Sequence, residues 1–128
     1  MKSTRAALLV VAALMIFIGA AGNAFNLIPD LHGDLVELGV RRTVLGGSVI
    51  LMDFAALAMF AFLVIVGAAA IQALRGVTPA RLPIAVIGAV YVAAGSIALS
   101  WGHSPHHLGN VAIGVLLAAA AVIPGSRH

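Results

Sequence analysis

The stretch LGGSVILMDFAALAMFAFLVIVGAAAIQAL, residues 45–74, decides the fold class. Asp53 is the only ionisable side chain in it. A bilayer's hydrocarbon core is about 30 Å thick and is crossed by about 20 helical residues. This run exceeds that length, so it reads as a spanning helix that tilts or carries its first turns outside the bilayer. Lipid offers no partner to a free backbone N–H or C=O, which leaves a helix as the conformation open to a single apolar run.

The rest of the chain agrees with that reading. Of its 128 residues 62% are hydrophobic and 9% charged, too few charges to clothe a water-soluble domain. Three more apolar runs, residues 6–28, 82–101 and 105–123, have spanning length. The expected fold is all-α: one integral membrane domain over residues 1–128, built as a four-helix transmembrane bundle. The seven Lys and Arg residues stand at the ends of apolar runs, without the basic patch that nucleic-acid binding requires. The chain has no cysteine, so disulfides and thiolate chemistry are excluded.

The boundaries carry helix-ending chemistry. Ser104-Pro105 reads as an N-cap followed by proline at the first helical position, Pro83 starts the third helix in the same way, and Pro124-Gly125 ends the fourth. Between the first two helices, PDLHGDLVELGVRR (residues 29–42) places Asp30, Asp34, Glu37 and Arg41 on one helical face and Leu31, Leu35 and Leu38 on another. That pattern predicts a short amphipathic outer helix lying on the membrane surface.

Orientation follows from short-loop Lys and Arg. Lys2, Arg5, Arg75, Arg81 and Arg127 share the side of both termini, while Arg41 and Arg42 face them from the other. This places the N and C termini in the cytoplasm of a multi-pass protein of the inner, or plasma, membrane. The rival reading of the N-terminus is a signal peptide cleaved near GNA, residues 22–24; the apolar run continues past that point, which favours a span.

On this topology the polar residues gather toward the outer side. Asn23 and Asn26 close the first helix, Ser48 and Asp53 lie in the outer part of the second, and Ser96, Ser100, Trp101 and His103 lie toward the outer end of the third, with Tyr91 near its middle. His106, His107 and Asn110 open the fourth. An ionisable residue inside a span costs about 2.5 to 3.5 kcal/mol on insertion scales and marks a functional candidate. Asp53 is that residue unless its helix projects far enough to leave it near the headgroups.

Three functions follow as expectations. The leading one is a binding or accessory subunit whose outward-facing polar pocket takes a lipid-like or quinone-like ligand or a partner protein. Asn23, Asn26, Tyr91, Ser100, Trp101, His106 and Asn110 are its ligand-binding candidates. The second is a membrane-embedded enzyme with Asp53 and His103 or His107 as its acid/base pair on an apolar substrate. The third is metal or haem binding through His32, His103, His106 and His107, a ligand type suited to zinc and similar ions. Against these stands an ordinary interfacial turn, where histidine and tryptophan are comfortable. No cofactor is specified by any motif. The expected partners are the lipid bilayer, an apolar ligand and a second copy or a larger membrane complex, with no nucleic acid.

The stretch GVRRTVLGGSVILMDFAAL, residues 39–57, resembles the DoxX-like group of small bacterial four-helix membrane proteins. Pro29 after the first helix, Arg41 or Arg42, and Gly46-Gly47 at the head of the second carry the similarity. The turn HSPHHLGN (residues 103–110) departs from that pattern. The resemblance implies the four-helix layout and, in a functionally mixed group, no particular activity.

Overall fold

The computed structural model describes residues 2–102 and 106–124. The expected Ser104-Pro105 cap and the candidate His103 lie outside the described residues, as does the side chain of His106. Every regular element among the described residues is helical: α1 (Lys2–Gly22), a π-helical turn (Asn23–Leu27), α2 (Ile28–Glu37), α3 (Arg42–Leu74), α4 (Arg81–Trp101) and α5 (His106–Val122). Among the described residues three runs are long and apolar enough to cross a membrane: Thr4–Glu37, Arg42–Leu74 and Arg81–Trp101. The α5 segment is shorter and also apolar.

The first helical run departs from expectation in an instructive way. Residues 29–37 do form a helix, but α2 is not a separate element laid across a surface. It continues α1 through the π-turn, with helical backbone angles at Gly22, Leu27 and Ile28. The cause is Pro29, which has no N–H to give and whose ring collides with the carbonyl a turn earlier. Widening the preceding turn relieves that clash, and the Ile28 N–H reaches back to the Asn23 carbonyl in the π register. The chain therefore keeps its direction and α2 stays against α3. The amphipathic pattern points Leu31 and Leu35 at a membrane surface; Leu31 instead borders a cleft against α3.

At the far end of α2 the chain reverses through Gly39, whose φ of 67° suits a residue without Cβ. The N–H of Gly39 bonds Val36 O and that of Val40 bonds Leu35 O, so the last carbonyls are closed in a Schellman arrangement. The same device ends α3, where Gly76 and Val77 donate to Ala73 and Gln72. Between these turns α3 runs 33 residues, about 50 Å at 1.5 Å per residue. It begins at Arg42, three positions earlier than the apolar run suggests, because the backbone can wind into a helix before the side chains become apolar.

Packing is uneven around the molecule. Helix α1 sits between α3 and α5, α4 lies chiefly on α5, and α3 meets α4 only sparsely. Leu9, Ala12, Ile16 and Ala20 recur at three- and four-residue spacing on α1 and are buried, the last three turns of a continuous stripe. Four of the five buried positions of α3 are alanines: Ala56, Ala69, Ala70 and Ala73. The α4–α5 seam is the tightest. A Cβ placed on Gly114 would meet Gly88 O and Val92 N at 2.7 Å, and one on Gly95 would meet Val111 N at 3.0 Å. Small residues at these points let two backbones touch, which is how helices associate where lipid removes the usual hydrophobic drive.

Arg5 joins the ends of the chain. It is 6% exposed, and its Nε–H donates to Ala120 O at 3.2 Å while Nη2 donates to Ile123 O. The start of α1 and the end of α5 therefore stand at the same end of the bundle. The remaining surface is unusual for a protein in water: Ile50, Leu51, Phe54, Leu57, Val64 and Leu74 on α3 are all exposed. Apolar surface of that extent is what a lipid-facing helix presents.

Candidate functional site

The polar candidates do not all converge. Asn23 is the first residue of the π-turn and is half-buried. Its side-chain amide donates to the thioether sulfur of Met59 at 3.1 Å. That bond ties α1 to α3 at the level where Gly19 also approaches Met59. Asn23 lines a cleft of ≈ 160 Å³ together with Leu27, Ile28 and Leu31 on one side and Met52, Ala55 and Ala56 on the other. The cleft owes its width to two features. The π-turn pushes the chain outward just before Pro29, and α3 presents two alanines where larger side chains would close the gap.

Asn26 is exposed and is not among the cleft's lining residues. Asp53 is exposed too, beside Met52 in sequence but outside the lining. Tyr91 is 5% exposed, with its ring edge-on to Phe62 at a centroid distance of 6.0 Å and an angle of 62°. Its hydroxyl has no hydrogen-bond partner among the described residues. Ser100 spends its hydroxyl locally, donating to Ile97 O at 2.6 Å within α4. Trp101 is 89% exposed at the last position of α4. Asn110 points its Cβ toward Gly95, which places it at the α4–α5 seam.

Of the histidines, His32 is exposed on α2 and His107 half-buried in the first turn of α5. Among the described residues, no three side chains of His, Cys, Asp or Glu come together as a metal would need. The two histidines that would complete such a set, His103 and His106, have no described side chains.

Two features escape a reading of the sequence. Arg5 looks like one more positive charge beside a membrane, whereas its carbonyl partners lie 115 and 118 positions away. The cleft has a local signal that is easy to pass over. A proline six residues after an asparagine, inside an apolar run, forces a widened turn and brings a polar side chain with it. Such turns are common at functional sites.

Comparison with protein-family models, with curated protein sequences and with solved structures finds no match for the chain.

Proposed function

We propose that this chain is a four-span membrane protein that works as a binding or accessory subunit. Its ligand would enter the Asn23 cleft from the outer half of the bilayer. The reading is supported by how the polar groups are spaced along the helices. Tyr91 is the middle residue of α4 and faces Phe62 of α3. Ten residues of helix on each side of Tyr91 give about 15 Å each way, the half-thickness of a hydrocarbon core. Arg81 and Trp101 then lie at opposite interfaces, and tryptophan is favoured there.

On that scale Asp53, nine positions outward of Phe62, stands about 13 Å from the midplane, at the edge of the hydrocarbon. Its charge is then an interfacial one, and the long first part of α3 projects beyond the bilayer beside α2. Asn23 is the deeper group. It bonds Met59, three positions from Phe62, and so lies only about 5 Å outward of the midplane. A polar side chain at that depth, beside an open apolar cleft, is the best-supported site among the described residues.

The Lys and Arg asymmetry supports an inner-membrane protein with cytoplasmic termini, and the Arg5 contacts to α5 agree with termini on one side. The outward face of α3 would meet lipid or a neighbouring subunit. Native mass spectrometry of the protein released from its own membranes tests the binding role. The expected result is one small apolar molecule retained per chain, lost in Ala55→Phe, where the new ring fills the cleft. A wild-type protein that emerges bare under every release condition contradicts the reading.

A further inference from the structure

The chemistry of the cleft narrows what it accepts. Its volume, ≈ 160 Å³, is close to the ~150 Å³ of an apolar cavity that takes up benzene. That is room for a single ring or a short length of hydrocarbon. Six of the seven lining side chains are apolar, and Asn23 supplies the polar contact. A carboxamide offers two N–H donors and a carbonyl acceptor. Here one N–H goes to the Met59 sulfur, and a thioether is a weak acceptor. Among the described residues the second N–H and the carbonyl oxygen have no side-chain or backbone partner.

A pure hydrocarbon occupant would bury those groups without partners, and buried polar groups left unpaired are costly. An occupant with only a carbonyl would serve the N–H and leave the oxygen. A hydroxyl both donates and accepts, so one group can serve either part of the amide. Net charge on the ligand is disfavoured, because the cleft lies in apolar surroundings and holds no side chain of opposite sign.

We infer that the Asn23 cleft binds a neutral hydroxyl-headed amphiphile of single-ring width, its hydroxyl on the Asn23 amide and its apolar body between α2 and α3. This deepens the proposed function and rests on it. Occupancy would also hold the π-turn to α3, because the ligand touches both walls.

The chain's methionines provide a site-specific readout. Met52 lines the cleft, Met59 bonds Asn23, and Met15 on α1 is in neither position. The full chain, labelled with carbon-13 at the methionine methyls and held in lipid nanodiscs, is titrated with para-butylphenol and with butylbenzene. These probes share a shape and differ in the hydroxyl. The phenol is expected to shift Met52 and Met59 at concentrations about fivefold lower than butylbenzene does, the ratio one hydrogen bond supplies, while Met15 stays in place. In Asn23→Leu the two probes should titrate alike at Met52. If wild-type protein responds equally to both, the hydroxyl preference is wrong and the cleft survives as an apolar site. If neither probe moves Met52 or Met59, the inference and the proposed binding role both fall. The wild-type comparison stands without the variant, so a poorly folding Asn23→Leu does not remove the test.

Discussion

Gly114→Leu is expected to split the α4–α5 hairpin and to be the most damaging single substitution in the molecule. A Cβ alone at this position would stand 2.7 Å from both Gly88 O and Val92 N and would also press on Val92 Cγ2. Two of these atoms are backbone, which cannot turn aside as a long side chain can. The helices must part along the seam, and with them go the neighbouring close contacts at Gly88 and Gly95. Overpacking of a well-filled interior costs about 1–3 kcal/mol for modest additions. Gly114→Ala should fall in that range, and Gly114→Leu at about 3 kcal/mol or beyond. Gly109 lies on the same helix with open space around it. Gly109→Ala should therefore be neutral or stabilise, because alanine is the better helix former by about 1 kcal/mol. Unfolding of the three variants in mixed detergent micelles, followed by circular dichroism, gives the comparison. Equal losses for Gly109→Ala and Gly114→Ala would contradict the close-packed seam.

The second large effect belongs to Arg5. The last carbonyls of any helix lack intrahelical donors, and at the end of α5 two of them accept from the Arg5 guanidinium. A cation at that place also faces the negative end of the helix dipole. Arg5→Leu keeps the bulk and removes the donors, leaving Ala120 O and Ile123 O short of partners. The expected loss is about 2 kcal/mol, the scale of a hydrogen bond to a charged group. Arg5→Lys should recover only part of it, since an ammonium is a point charge where the guanidinium is a fork that reaches two carbonyls at once. If both variants unfold with wild-type stability, Arg5 is merely a basic residue near the membrane.

Architecture was legible in the sequence because apolar length is a strong signal. The runs at 45–74 and 82–101 become α3 and α4 within three residues at each end. The course of α2 was not legible, because its amphipathic pattern fits both a helix lying in an interface and one standing beside α3. The deciding event is the π-turn that Pro29 imposes, a matter of backbone registry that hydrophobic periodicity does not encode. Site residues fared by type. Asn23 was singled out for polarity near a helix end, and the structure gives it a cleft. Asp53 drew attention as a charge within an apolar run, yet the run is long enough for it to stand at the edge. The contacts of Arg5 and Gly114 depend on which helices become neighbours, and no local pattern carries that information.

The depth of Asn23 relative to Asp53 can be measured directly. With no native cysteine, single cysteines can be placed along α3 and spin-labelled without background. Positions 54, 57, 61 and 64 all lie on its exposed side. Their relative accessibility to dissolved oxygen and to a water-soluble nickel chelate reports depth in a reconstituted bilayer. The account predicts chelate access at 54, a steady gain of oxygen over chelate through 57, and the greatest oxygen excess at 61 to 64. An oxygen maximum at 54, with the chelate excluded there, would put Asp53 deep in the hydrocarbon and contradict the placement of the cleft.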